Sequence, residues 1–324
     1  MNILIVSHST IPAILYGGIE RIIWWLGKEL NKQGHNVTYL VNKGSVCPFG
    51  RVIFRDNSVS LESQVPEEID IVHFHYLITG FNKRPYIVTI HGNSNQAEFP
   101  INSVFVSKDH AKRYNAEAYV YNGIDPEEYG LPDFNIKRKY FHFLGKAAWR
   151  IKNVKGAINV ASAANEKLVV IGGSRLNIKM GFRFTPNLNV SFKGMLGGEK
   201  KNAYIRASMG LIFPVKWHEP FGIALIESLY FGCPVFGTPY GSLPEIVTEE
   251  MGVLSNSASV LADALKTAGD FDRKKCYQHV CDLFLSDSMA NQYIKPYEKV
   301  LSGLDLNSGT PVFVQSQKFL DWID

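Results

Sequence analysis

The sequence predicts an α/β protein built on two parallel sheets, and three observations carry that prediction. Short apolar, β-branched runs recur along the chain, segments of helical periodicity lie between them, and the pattern breaks at a polar, turn-rich stretch (122–139) before starting again. Strands covered on both faces read as continuous apolar runs, whereas strands with one wet face alternate. A length of 324 residues accommodates two domains of ordinary size.

The first half supplies "ILIVSH" (3–8), "NVTYLVN" (36–42), "DIVHFH" (70–75), "YIVTIHG" (86–92), "SVFVSK" (103–108) and "AYVYNG" (118–123) as expected strands. Between the first two lies "IERIIWWLGKELNKQG" (19–34), whose apolar positions 19, 22, 23, 26 and 30 share one helical face, with Gly34 as a stop. The second half supplies "YFHFLGK" (140–146), "KLVVIGG" (167–173), "NVSFKG" (189–194), "GLIFPV" (210–215) and "PVFGTP" (234–239) as strands. Its expected helices are "NVKGAINVASAAN" (153–165) and "GIALIESLYFG" (222–232). The expected organisation is a Rossmann-like domain over 1–130 and a second over 131–284. Helices at about 285–301 could return to the first domain, and the tail 302–324 is unassigned.

Composition narrows the class further. Hydrophobic content of 46% with 20% charged residues describes a folded globular chain, and a net charge of +4 is too mild to imply nucleic acid. That charge leaves an anionic ligand, or peripheral contact with an acidic membrane surface, open. Cys47, Cys233, Cys276 and Cys281 show no metal-like spacing and read as reduced thiols. The start, "MNILIVSHSTIP", reads as a first strand and not a signal peptide, and no apolar run approaches the roughly 18 residues of a spanning helix. A cytoplasmic protein is expected, with the membrane surface left open.

Four places carry residues suited to chemistry, each at a loop following a strand, where open α/β sheets bind ligands. In "LYGGIERI" (15–22), Gly17 and Gly18 let backbone N–H groups approach an anion, or are a plain loop pair. "FLGKAAWRIKNVKGA" (143–157) gathers Lys146, Arg150, Lys152 and Lys155, which are either solvated or share an anion. In "WHEPFGIALIESLYFGCPVFGTP" (217–239), Pro220 and Gly222 punctuate a helix start, so the N–H groups of Phe221, Gly222 and Ile223 are expected at an anion-attracting N-terminus. Glu219 could cap those groups. Glu227 lies in an apolar helical run where an ionised carboxylate needs a partner, either hydroxyls of a ligand or a lysine from elsewhere. Fourth, His91 closes a strand in "TIHGNSNQ" (89–96), in a structural or a functional role.

Other signals are set aside. His73 and His75 share a strand face but have no third metal ligand in view. "DFD" (270–272) precedes a helix, where Asp is expected as a cap. No dinucleotide fingerprint, Walker A or G-x-S-x-G sequence is present.

"EPFGIALIESLYFGCPVFGTPYGSLPEIV" (219–247) resembles the E-x7-E region of retaining glycosyltransferases of the GT-B fold, family 4. "YGGIER", "DIVHFH", "TIHG", "YNGID" (121–125) and "FLGKAAWRIKN" resemble further segments of that family in the same order, so the likeness spans most of residues 1–300. It implies two Rossmann-like domains whose parallel sheets face across a cleft, with a nucleotide-diphosphate sugar held mainly by the second. Carried over, Glu227 would accept from ribose hydroxyls, Glu219 would lie near the donor sugar, and His91 would face the reaction centre. The N–H groups of Phe221 to Ile223, with Gly17 or Gly18, would hold diphosphate and sugar. Lys146 and Lys152 would clamp the phosphates, Lys155 being the rival to Lys152, and the base would lie near Met195 and Leu196. The family usually has Arg where Lys146 stands, which keeps the charge and loses the bidentate fork.

The implied function is retaining sugar transfer that needs no cofactor and no metal, to an acceptor that is a glycan, a lipid-linked molecule or a small molecule. A sugar-nucleotide epimerase on the same fold and a catalytically degenerate nucleotide- or glycan-binding module are the alternatives. Glu227→Ala is expected to weaken donor binding while the fold persists. The base, sugar, acceptor and oligomeric state are not legible.

Overall fold

A computed structural model describes residues 1–13, 17–95, 98–178, 180, 182–314 and 319–324. By contacts the chain divides into two compact units, one of residues 1–125 and 284–316, the other of 126–283 and 317–324.

The first unit runs β1 (Asn2–Val6), α1 (Gly18–Lys32), β2 (Asn36–Val41), β3 (Arg51–Phe54), β4 (Ile71–Phe74), β5 (Tyr86–Ile90), β6 (Ser103–Phe105) and α2 (Lys108–Arg113). Among the described residues its strands form one six-stranded sheet, ordered β3-β2-β1-β4-β5-β6 with every pair parallel. The apolar runs of β1, β4 and β5 are buried on both sides, as their lack of alternation requires. α1 buries Ile22, Ile23, Leu26 and Leu30, and ends where Gly34 adopts φ +85° and His35 N–H closes back on the Leu30 carbonyl.

The second unit runs α3 (Pro126–Tyr129), β7 (Tyr140–Leu144), α4 (Val154–Ala163), β8 (Leu168–Ile171), β9 (Leu176–Asn177), β10 (Arg183–Phe184), β11 (Val190–Phe192) and α5 (Gly198–Arg206). It continues with β12 (Ser208–Phe213), α6 (Ile223–Tyr230), β13 (Val235–Gly237), α7 (Leu243–Ile246), β14 (Gly252–Leu254), α8 (Ala258–Leu265) and α9 (Arg273–Leu283). A second six-stranded parallel sheet has the order β11-β8-β7-β12-β13-β14, while β9 and β10 form a separate antiparallel hairpin. Counted within its own sheet, each set of strands has the order 3-2-1-4-5-6 of the Rossmann fold. A core of Phe141, Phe143, Val170 and Ile212 with α4 and α8 residues covers one face.

The structure differs from expectation in several elements. The run 118–123 makes only a single bridge, Phe105 to Tyr119, because its backbone turns away after Val120. β3, β14 and the β9–β10 hairpin were not expected: all are short, and none has a long apolar run. Of the C-terminal helices, α8 and α9 stay with the second unit, and α10 (Ser286–Leu301) lies with the first, packed along α1.

The tail has definite places. Asn307 accepts from Glu117 and Ala118 N–H and donates to the Ile101 and Ser103 carbonyls in the first unit. In the second, Leu320 N–H reaches the Lys216 carbonyl, Ile323 pairs with Ser257, and Trp322 packs on the core.

Candidate functional site

In an open sheet of this order, ligands are expected beyond the carboxyl ends of the two strands where the order reverses. In the second unit these are β7 and β12. The loop after β7 carries Gly145, Lys146 and a short 3-10 turn, Arg150–Lys152; the loop after β12 carries Trp217, Glu219 and Gly222. Lys216 N–H donates to the Ile151 carbonyl (2.7 Å) and Asn153 Nδ2 to the Pro214 carbonyl (3.0 Å), which stitches the two loops together. Asn153 takes the left-handed conformation (φ +53°) that Asn tolerates, and its side chain accepts from Gly156 N–H to cap α4.

The stitched loops bring Lys152 and Glu219 together. Lys152 Nζ donates to Glu219 Oε2 at 2.6 Å, and Trp217 Nε1 donates to the same oxygen at 2.7 Å. The lysine also lies over the Trp217 and Phe213 rings, 4.9 and 5.3 Å from their centroids. Glu219 is 5% exposed, so an unpaired charge there would be costly. Its backbone is locked as well, by Ser242 N–H on its carbonyl and a bridge to Gly241. Among the described residues Oε1 of Glu219 has no hydrogen-bond partner.

Glu227, on the second turn of α6, is 7% exposed. Its cation comes from α5: Lys201, itself buried, donates to Glu227 Oε1, and Tyr129 Oη donates to that oxygen at 2.5 Å. Lys201 Nζ lies 4.8 Å from the centre of the Tyr129 ring. Again one carboxylate oxygen holds every structural partner, and Oε2 has none among the described residues. The lysine alternative read from the sequence is thus present, and it leaves half of the carboxylate for a hydroxyl donor.

Between the two glutamates, Gly222 caps α6 at φ +83°, with no side chain accepting from the helix N-terminus. Glu219 bonds Lys152 and Trp217 instead of capping those N–H groups. Phe221 is buried, and Ile223 opens the helix. A cationic lysine and a helix N-terminus thus come from loops at the reversal point, with two half-satisfied carboxylates beside them. Such a set can bind an anion and orient hydroxyls around it.

The remaining expected residues lie as follows. Lys146 is exposed, its Nζ 5.0 Å from the Trp149 ring centre. Lys155 is exposed on α4, so of the two rivals Lys152 is the one paired with Glu219. Met195 and Leu196 follow β11 in the loop before α5, with Met195 41% exposed.

Gly17, Gly18 and His91 belong to the first unit. Gly17 precedes α1 and Gly18 opens it; a side chain at Gly17 would press on Glu20, whose carboxylate accepts from Ser9. Leu15 and Tyr16 of the glycine loop and Gln96 after His91 lie outside the described residues. His91 follows β5, and its Nε2 lies 2.8 Å from Nδ1 of His75, which follows β4. Burial holds the His91 imidazole down to about 4, and burial with neighbouring His73 and His91 holds His75 well below the ordinary value. His73 bonds Tyr297 and Thr89 at 2.7 Å each, so it is a satisfied core residue. Among the described residues no group of three or more His, Cys, Asp or Glu is placed to hold a metal ion.

Four participants escaped the sequence reading. Lys201 and Tyr129 lie far from Glu227 in sequence, and no spacing announced them. Trp217, two residues before Glu219, and His75, on a strand end already noted, were visible but unassigned.

Residues 132–270, within the second unit, match the family model for glycosyl transferases group 1. The chain is 22% identical over 356 aligned positions to N-acetyl-alpha-D-glucosaminyl L-malate synthase of Bacillus anthracis, covering 85% of this chain and 92% of that protein. It is 26% identical over 127 positions to a GDP-mannose-dependent alpha-(1-6)-phosphatidylinositol dimannoside mannosyltransferase of Mycobacterium tuberculosis, covering 38% and 33%. AviGT4, a glycosyltransferase involved in avilamycin A biosynthesis, superposes with a TM-score of 0.76 at 20% identity, covering 93% of this chain and 98% of that one. The fold is GT-B, and the enzyme is a glycosyltransferase. Among structures sharing the glycosyltransferase's fold is Anabaena Alr3699/HepE with UDP and glucose, with a TM-score of 0.64 at 14% identity, covering 92% and 99%.

Proposed function

We propose that this glycosyltransferase is of the retaining, family 4 type and moves a sugar from a nucleotide-diphosphate sugar held on its second unit. The observation that carries the reading is the pair of half-satisfied glutamates flanking the start of α6, one tied to Lys152 and one to Lys201. In this reading Glu227 Oε2 accepts from the ribose diol and Glu219 Oε1 from a hydroxyl of the donor sugar. Lys152 and the α6 N-terminus face the diphosphate, with Lys146 reaching in from its exposed loop. His91 and Gly17 or Gly18 of the first unit keep, in this reading, the roles that the family resemblance implies for them.

The chemistry follows from charge. As the anomeric carbon takes on oxocarbenium character, negative charge builds on the departing diphosphate. Fixed cations and N–H dipoles stabilise that charge without reorganising, the effect that can dominate an enzymic barrier. The lysines are proposed to do this without a metal ion, and the departing phosphate to take the acceptor's proton on the face it leaves, which gives retention. The base is open: the solved relatives include complexes with UDP and with ADP, and a curated relative is GDP-mannose-dependent.

The deciding experiment is a thermal-shift panel of UDP, GDP, ADP and their sugar conjugates with EDTA present. A selective rise with one nucleotide supports the site and names the base. A rise that needs magnesium refutes the metal-free clamp, and no rise with any nucleotide in a folded sample refutes the donor site.

A further inference from the structure

The ends of β4 and β5 bring two imidazoles together nitrogen to nitrogen. The strands are parallel neighbours, and His75 and His91 each follow directly on the last strand residue. His75 N–H donates to the Val6 carbonyl at 3.0 Å, which continues the ladder and fixes its backbone. Its ring also stacks on that of His73, 4.1 Å between centroids, and His73 is held by Tyr297 and Thr89. The His75 ring is thus set from two sides before it meets His91. There the two rings are inclined by only 19°, with centroids 5.1 Å apart and Nδ1 of His75 2.8 Å from Nε2 of His91. That centroid separation is what the contact and two ring radii add up to, so each nitrogen points at the other.

Such a contact admits one hydrogen, since two N–H groups would collide and two lone pairs would repel. Burial keeps both rings neutral at neutral pH. Whichever ring donates therefore fixes the proton of both. His75 Nε2 decides the matter: it is buried and has no hydrogen-bond partner among the described residues. An orphaned buried N–H is rarer than an unsatisfied acceptor, so the His75 proton belongs on Nδ1. His91 then accepts at Nε2 and carries its own proton on Nδ1. The His91 ring is partly exposed, and its Nδ1 makes no hydrogen bond among the described residues. We propose that His75 is a positioning residue that holds His91 in the Nδ1–H form, so that His91 offers a hydrogen-bond donor, and no basic lone pair, to an oxygen of the transferred sugar. The sugar-facing role rests on the proposed donor reading, and the tautomer does not. A donor suits that chemistry: where the departing phosphate takes the acceptor's proton, no base is required of His91, and a fixed N–H can orient a sugar hydroxyl.

The test is long-range proton–nitrogen NMR of the full chain, labelled with nitrogen-15 histidine, at neutral pH. Couplings from Hδ2 and Hε1 show which ring nitrogen carries hydrogen, and the peaks lost in His91→Gln assign the His91 ring. His91 is expected in the Nδ1–H form in the wild type and as a mixture of both forms in His75→Phe. His75→Leu serves as a second variant should the first fail to fold. A wild-type His91 protonated at Nε2, or an unchanged Nδ1–H form in a folded His75 variant, would overturn the proposal. Calorimetry reads the role, using whichever of UDP-glucose, GDP-mannose and ADP-glucose binds, beside its bare nucleoside diphosphate. The folded His75 variant is expected to bind the sugar nucleotide about tenfold more weakly and the bare nucleotide as well as wild type does. Unchanged affinity for both, or equal weakening of both, would show that His75 does not act through the sugar and would also overturn the proposal. Binding of none of these by the wild type would refute the donor reading, on which the NMR result does not depend.

Discussion

Glu227 shows how one residue can carry two roles on two oxygens. Removing it takes from Lys201, 4% exposed, the carboxylate it bonds, and breaking such a buried pair costs about 3–5 kcal/mol. Glu227→Ala is therefore expected to lower stability as well as donor affinity, in a chain that still folds. Glu227→Ala/Lys201→Met removes both charges; chemical denaturation should show it more stable than the single variant, with donor binding still lost. A double variant no more stable than Glu227→Ala would mean that the pair is not what the fold depends on. At the other glutamate, Lys152→Met should cut turnover by about 3–4 kcal/mol of barrier, the range of a lost charge-stabilising donor. Lys155→Ala, on the exposed face of α4, should leave the rate unchanged. A damaging Lys155→Ala with a mild Lys152→Met would reverse the phosphate assignment.

At the scale of elements, the close approach of the strand ends decides what the loops can do. Gly172, after β8, has φ +116°, and a Cβ there would fall onto the Gly145 carbonyl at the end of β7. Gly172→Ala combines backbone strain with a clash that no side chain can relieve, and is expected to destabilise the second unit by about 2 kcal/mol or more, read by urea unfolding. A shift below about 0.5 kcal/mol would show that the loop relaxes around the methyl group. The first unit poses a different problem, with His73, His75, His91 and His110 all held below the ordinary imidazole value, chiefly by burial. In the unfolded chain each binds a proton near the ordinary value of 6.5, so below that pH the unfolded state gains protons that the native state does not. Their stabilising effect is complete above about pH 6.5 and declines as pH falls towards about 4, where His91 protonates in the native state. Melting temperatures of the full chain should fall through this window, and a flat profile would contradict the burial of these rings.

For the whole molecule, the C-terminal residues are structural. Leu320 bonds the carbonyl of Lys216, which is itself stitched to Ile151, so the last residues brace the loops that bear Lys152 and Glu219. Trp322 packs on the second unit's core and donates to Asp324 at 2.6 Å. Deleting residues 319–324 is expected to lower the melting temperature and to loosen the loop pair, seen as faster hydrogen exchange at Lys216. Unchanged exchange would separate the tail from the site.

How much of this was legible follows from the range of each interaction. Continuous apolar runs predicted the parallel strands, and Gly34 and Gly222 marked a helix stop and a helix start, because burial on two faces and left-handed backbone impose their own residue types locally. The glutamates, lysines and glycines of the site could be nominated from their position after strands. β3, β14 and the hairpin escaped because short segments carry little periodic signal, and the tail escaped because its order comes from distant backbone partners. By itself the sequence determined the α/β class, the parallel sheets and which carboxylate had to find a partner. Only the tertiary structure decided that Lys201 and Tyr129 are those partners, that Lys152 and not Lys155 meets Glu219, and that His75 meets His91. Periodicity reports which face of an element is apolar, but the partner of a buried charge is chosen where separate elements meet, and no local pattern encodes that meeting.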